Sequence, residues 1–398
     1  MADTDREPRD LDGLFDWLGR MRTSEPVSFD PDRGVWNVFR YQDAVAVLSD
    51  HATFSSDVTG LLRKTLTDDR DFDAFVEGNM LVMDPPDHKK LRKLVNKGFT
   101  PRMVAQLEPR VRRIVDELFA GLRGSTAVDL VSDIAYPLPV TVIAQMLGVP
   151  VSDHPLFHKW SEELTSNADG ATGVRQAEIM RSIARTVGEM KAYVQEHLLR
   201  RREDPGDDLI SALAHAEVDG ERLTDVEISG LVALMLRAGH ITTTLLMSNA
   251  VALLDTLPEV TARLRDDPAA IPGAMEEILR YRPVVTSVLR LTSRETVLQG
   301  RTLPAGQLVT VWLASANRDA AQFTAPDSFD PDRRPNQHLS FAHGAHFCIG
   351  APLARLEVRV VLETILARWA ELAVAPGADY YDPIHILGAK RQAREVRW

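Results

Sequence analysis

Residues 341–350 read Phe341-Ala342-His343-Gly344-Ala345-His346-Phe347-Cys348-Ile349-Gly350, and a helical pattern of Leu353, Leu356 and Val360 follows directly. Cys348 is the only cysteine of the chain. A thiolate at a helix start is stabilised by the free backbone N–H groups there and by the helix dipole. Gly344 permits a tight turn, and Gly350 lets the backbone approach a flat ligand closely. Phe341 and Phe347 are placed to keep water from the sulfur. On the residues alone the sulfur is either a ligand held by the loop or a buried structural cysteine, the commoner fate of a lone Cys.

Upstream of this loop, residues 323–347 are rich in Pro, Asp, Asn, His and Gly, and a loop of that length inside a compact fold is usually functional. Strand signals are few: Val35–Phe39, then Val288–Thr292, Thr296–Leu298 and Leu308–Trp312, which predict one small sheet with a turn at Pro304-Ala305-Gly306. Amphipathic helices are expected over Val104–Leu122, Ala177–Arg201 and Ile349–Leu372, with Thr100-Pro101 as N-cap and first helical residue of an earlier start. From Asp225 to about Leu257 the apolar character runs nearly all round, which predicts a buried central helix approaching ~50 Å in length.

With 398 residues, 44% of them hydrophobic, and no repeat or composition break, residues 1–398 are expected to form one large fold. The net charge of -11 opposes general binding to nucleic acid or an anionic membrane. A lone cysteine cannot close an internal disulfide, which fits a reducing cytoplasm. The first ten residues, MADTDREPRD, are charged and without an apolar core, so neither a signal peptide nor a membrane anchor is expected there.

The cysteine loop matches the pattern Phe-x-x-Gly-x-His-x-Cys-x-Gly, and on it the chain resembles the cytochrome P-450 family in its soluble bacterial form. The resemblance implies a mainly α fold with a minor β region, triangular, with the long central helix over the haem. It implies haem b bound through the thiolate of Cys348, which pushes electron density onto the iron and favours O–O cleavage. Further motifs come in the family's order. Glu277-Ile-Leu-Arg280 looks like its Glu-x-x-Arg pair, with Arg333 as the third member from the loop before the cysteine. Taken without the resemblance, that spacing describes an exposed helical ion pair equally well. His88 and Arg92 resemble the residues that hold one haem propionate, and Arg290 with His346 those that hold the other; a guanidinium fork suits a carboxylate.

On the central helix, Ala238-Gly-His-Ile-Thr-Thr-Thr244 resembles the segment that loosens beside the oxygen pocket, with Thr242 as the hydroxyl that supports proton delivery. The family's acid is replaced by Ile241. Three routes stay open: protons from the substrate or from a water chain through Thr242 and Thr243, use of peroxide, or a reaction such as radical coupling that needs no relay. A milder departure is Ala342 in a position where glycine is common, read as a backbone conformation that alanine can adopt.

The resemblance places substrate-facing residues in Ser55–Val82, after Ser152, in Leu234–Met247, in Val284–Val288 and near His385–Leu387. Leu81, Val82, Leu234, Ile241, Val285, Val288 and Ile386 would make an apolar pocket for a medium or large hydrophobic molecule, such as a secondary metabolite. The acidic run Asp68-Asp-Arg-Asp-Phe-Asp73 could meet a cationic substrate, but is read first as an exposed loop tip. Residues 88–102 hold six Lys or Arg and no acid, a face suited to an acidic ferredoxin supplied by its NAD(P)H-dependent reductase. The expected activity is that of a monooxygenase; the competing readings are a peroxygenase or atypical haem-thiolate oxidase, and a non-catalytic haem-binding scaffold.

Overall fold

The computed structural model describes residues 11–165, 174–218, 220–374, 379–381 and 386–397. Helices dominate and the β region is minor. The central helix, Asp225–Asp255, begins at a reciprocal cap: Thr224 Oγ1 accepts the N–H of Glu227 at 3.2 Å, and the Glu227 carboxylate accepts the N–H of Thr224 at 2.7 Å. Asp225 and Glu227 also place negative charge at the positive end of the helix dipole. Thirty-one residues give a rod of about 46 Å. Among the described helices it alone is long and apolar enough to cross a membrane. Here its sides are filled by the helices Pro137–Met146, Val174–Glu203 and Ala351–Arg368, so it forms the spine of the main hydrophobic core.

One crossing on this spine is backbone on backbone. A methyl group added to Gly230 would stand 2.2 Å from the Glu77 carbonyl oxygen and 2.7 Å from the Gly78 Cα. Only glycine permits that approach. It fixes the segment after the helix Asp69–Val76 against the spine. That helix corrects the loop-tip reading of Asp68–Asp73: Asp68 caps it by accepting the N–H groups of Arg70 and Asp71, and Asp69 and Asp71 sit in its first turn, where the dipole favours them.

Five strands form the larger sheet: β1 (Val27–Asp30), β2 (Val35–Val38), β3 (Phe54–Ser55), β4 (Val288–Thr292) and β5 (Leu308–Val311), in the order β1-β2-β5-β4-β3. β2 and β5 are parallel, with Val38 opposite Val311; β5 and β4 are antiparallel, with Val309 opposite Arg290. Gly306, at φ +75°, turns the chain into β5. Thr296–Leu298 does not join this sheet; it pairs with Arg301–Leu303 in a hairpin of its own. Two helix expectations are also corrected. The segment read as one helix from Val104 is two, Pro101–Gln106 and Glu108–Gly121, because Pro109 brings no N–H to continue the first and is tolerated in the first turn of the second. The helix after the cysteine ends at Arg368, and Glu371–Val374 is a strand.

Candidate active site

The cysteine loop is seated from below. Gly344 has φ +70°, and a methyl group there would lie 2.7 Å from the carbonyl oxygen of Leu48 on the helix Tyr41–Ser49. Both the turn and the contact require glycine. Ala342 has φ +58°, so the expectation that its conformation suits alanine is corrected: it occupies the left-handed region, at a cost of about 1 kcal/mol. The Cys348 N–H donates to the Phe341 carbonyl at 2.9 Å, closing the loop just before the helix Ala351–Arg368. Gly350 has ordinary backbone angles, and a methyl group on it would meet only the Cys348 Sγ, at 3.9 Å.

Burial pushes the Cys348 thiol up, while the N–H groups of Gly350 and Ala351 and the nearby Arg92 and Arg355 pull it down. The helix start therefore acts on the sulfur as expected, but desolvation outweighs it. The two phenylalanines differ. Phe341 is half-buried beneath the Arg355 guanidinium, 4.6 Å from its ring, whereas Phe347 is exposed and lends its carbonyl to Arg92 at 2.7 Å. The two rings meet edge to face, with centroids 6.3 Å apart.

Arg355 is held in turn by Glu276 through two hydrogen bonds of 2.7 and 2.8 Å, and His338 adds a third contact at 3.2 Å. Burial opposes the charge on Glu276, but Arg355 and His338 bring its pKa down to about 2. The sequence reading missed this support of Phe341. Its signal is an arginine one turn into the cysteine helix and a carboxylate beside Glu277.

Glu277 and Arg280 are fully buried, so the exposed-pair reading does not hold. They join at 2.7 and 2.8 Å, Arg333 adds bonds of 3.1 Å to both Glu277 oxygens, and Arg280 donates to the carbonyls of Asn317, Pro326 and Ser328. This cluster ties the helix Ile271–Tyr281 to the long loop that precedes the cysteine.

His88, Arg290 and His346 come together as one group rather than two separate pairs. The rings of His88 and His346 lie 4.2 Å apart, and Arg290 acts electrostatically on both. Burial, then the neighbouring cations, lowers the pKa of His88 and brings that of His346 to about 4. Arg290 is buried, and its one hydrogen bond among the described residues goes to the Leu289 carbonyl. The Nε2 atoms of His88 and His346 are buried without a hydrogen-bond partner. Asp84, the carboxylate of this region, is occupied by the hydroxyl of Ser55 and the N–H of Ser56. A buried cation with two orphaned imidazole nitrogens is a donor set short of anions. It fits the two carboxylates of a haem.

The central helix carries an accessible stripe. Ala238 is exposed, and Leu234, Ile241 and Thr242 are half-buried, at the i, i+4, i+7 and i+8 spacing of one helix face. The loosening expected here is absent: Asp225–Asp255 is continuous. The Thr242 hydroxyl donates to the Ala238 carbonyl at 2.8 Å. Thr243 lies off the stripe, buried, with its hydroxyl given to Gly239 at 2.8 Å; this corrects its place in a water chain shared with Thr242. His240 faces away as well, its Nδ1 on the Ser161 hydroxyl and its ring edge-on to Tyr136 at 4.4 Å; burial takes its pKa down to about 3. Val285 and Ile386 meet in a β-bridge, Val288 opens β4, and Leu81 and Val82 sit on the turn Met80–Val82, Leu81 being exposed. His385 lies outside the described residues.

The basic segment is the helix Asp87–Gly98. Arg92 leaves its outer face for the cysteine loop and Lys90 pairs with Glu221 at 3.5 Å, while Lys89 and Lys93 are exposed.

Comparison with known proteins agrees with this arrangement. The Cytochrome P450 family model matches residues 30–379. The chain is 42% identical to cyclomarin C epoxidase CymV of Salinispora arenicola, over 96% of both chains. It is 44% identical to erythromycin C-12 hydroxylase of Saccharopolyspora erythraea, over 92% of this chain and 89% of that one. The structure of open cytochrome P450 EryK from S. erythraea superposes with a TM-score of 0.89 at 40% identity, covering 98% of each chain. The chain belongs to the cytochrome P450 family, as a monooxygenase with cysteine-ligated haem b.

Proposed function

We propose that residues 1–398 act as one cytoplasmic unit that hydroxylates or otherwise oxidises a medium-to-large hydrophobic secondary metabolite, with electrons from a ferredoxin and its NAD(P)H-dependent reductase. The observation that carries the reading is the loop of Cys348 beside a group of buried, anion-seeking side chains. Cys348, the sole cysteine, is the iron ligand. His88, Arg290 and His346, with Arg92 at their edge, would hold the propionates. When bound, the haem supplies oxygen activation, one atom entering the substrate and the other leaving as water. Arg355 and Glu276 keep Phe341 in place by the sulfur. Ala238 leaves room beside the central helix, and Thr242 offers a hydroxyl there. Leu81, Val82, Leu234, Ile241, Val285, Val288 and Ile386 give an apolar lining, which selects a hydrophobic substrate. Lys89 and Lys93 present charge to an acidic partner.

Support for the substrate class comes from relatives named for oxidising cyclomarin C and erythromycin. A second reading, peroxide-driven oxidation, is favoured by one observation: Ile241 has no ionisable group to relay a proton, and the Thr242 hydroxyl is engaged with its own helix.

The first test is the carbon monoxide difference spectrum of the reduced protein beside Cys348→Ala. A strongly red-shifted Soret band that the variant loses is expected; a spectrum unchanged by the substitution overturns the ligand assignment. Turnover with ferredoxin and reductase is then compared with turnover on peroxide in wild type and Ile241→Glu. Improved coupling of electrons to product in the variant supports the oxygen-dependent route, and higher turnover on peroxide alone supports the second reading.

A further inference from the structure

Arg237 is a cation on the central helix that the site described above does not use. It stands one residue before the exposed Ala238 and five before Thr242, on the flank of the helix that carries Leu234 and Ile241. Its guanidinium lies over the ring of Phe75 at 4.7 Å. Around it is a narrow crevice whose apolar walls are Ala74, Phe75, Val187, Ala233 and Leu234. Burial lowers its pKa to about 10, with no carboxylate acting in the opposite direction. Among the described residues it has no ion pair. Glu77 borders the same crevice, but its carboxylate is 3.6 Å from the ammonium of Lys191, which also donates to the Asp73 carbonyl at 3.2 Å.

Arg237 is half-buried and lines the crevice, and among the described residues no carboxylate meets its N–H donors there. A purely packing role in this crevice would be filled better by methionine, of similar length and without charge. Phe75 anchors the guanidinium on one side, and the planar fork suits an acceptor with two oxygens. We infer that Arg237 is a specificity-determining residue that receives a carboxylate of the substrate, so that the preferred substrate is a hydrophobic body ending in an acid. The inference rests on the haem monooxygenase reading and deepens it. Five residues along a helix is about 7.5 Å, so the anchored acid would lie well away from the carbon presented near Thr242.

The test uses the haem-loaded protein and matched pairs of free acid and methyl ester: dodecanoic, 12-phenyldodecanoic and abietic acids. Binding is followed by the low-to-high-spin change of the ferric haem and, independently, by calorimetry. In wild type at least one acid is expected to bind about tenfold more tightly than its ester. Arg237→Met and Arg237→Gln abolish the preference, and Arg237→Lys keeps part of it. Arg237→Met also unfolds at the same or a higher temperature, because a half-buried charge without an ion pair is removed; a stacking role confined to structure predicts the opposite. Acids bound no better than esters throughout the panel, including no binding of either, overturns the proposal, as does a preference that survives Arg237→Met. A wild-type carbon monoxide spectrum without the thiolate band would instead fail the haem reading itself, so the two failures are told apart.

Discussion

Glu357 offers a quantitative test of the packing on the proximal side. It lies on the cysteine helix, 1% exposed, with Oε2 lacking a hydrogen-bond partner, and burial raises its pKa from 4.5 to about 8. The folded chain therefore keeps a proton that the unfolded chain gives up. For a carboxyl shifted upward, stability falls as pH rises, starting near the unfolded value and levelling off above the folded one. Linkage between pKa values of 4.5 and about 8 gives a loss of roughly 2.5 kcal/mol between pH 5 and pH 7. Glu357→Gln has no proton to lose there. At about 2 cal/mol/K of unfolding entropy per residue, the difference corresponds to roughly 3 °C in melting temperature for this chain. The assay is thermal unfolding of wild type and variant, both haem-loaded, at half-unit steps from pH 5 to pH 7. The gap between the two midpoints should widen in favour of the variant by that amount. A constant offset over the whole interval would refute the reasoning, because it would mean that Glu357 is solvated or paired in solution.

Three further outcomes follow from the geometry of the loop and its support. Gly344→Ala brings a methyl group to 2.7 Å from the Leu48 carbonyl in a left-handed residue; a loss of about 2–4 kcal/mol is expected, with faster haem transfer to apomyoglobin as the second readout. Ala342→Gly relieves the strain at φ +58° and should raise the melting temperature slightly, by an amount equivalent to about 0.5–1 kcal/mol; a lower melting temperature would contradict the strain. Glu277→Gln leaves Arg280 and Arg333 facing one another without a countercharge, and breaking such a buried cluster costs about 3–5 kcal/mol. Chemical denaturation should show it, and a neutral result would mean that the cluster is hydrated.

The parts legible in the sequence are those written in local spacing. The cysteine loop, the Glu277–Arg280 pair and the apolar run of the central helix each declare themselves within a few residues, and the P450 assignment grew from them. Helix ends were legible only where the punctuation was weighed. Pro109 marks the break after Gln106, yet periodicity alone carries straight across it. Convergence was not legible. Nothing within residues 84–92 shows that His88 will lie against a histidine about 260 positions later, nor does the motif around Ala238 show that Arg237 will find no carboxylate. Glu357 illustrates the same limit, since its spacing on an amphipathic helix suits a solvated glutamate and only the packing of neighbouring helices buries it.

The pairing of β2 with β5 bears on how this chain is made. Val35–Val38 leave the ribosome early, but their parallel partner Leu308–Val311 follows about 270 residues later. At synthesis rates of roughly 5–20 residues per second, that is an interval of some 14 to 55 seconds during which the β1–β2 hairpin has an open edge. Val38 and Val47, which belong to the apolar cluster completed by Val309, Val311 and Leu339, wait with it. Such an edge is a site for pairing with a neighbouring nascent chain. Slower growth, or a chaperone present during that interval, should therefore raise the yield of soluble protein more than added haem does, because the strand that closes the sheet is synthesised only shortly before the cysteine itself.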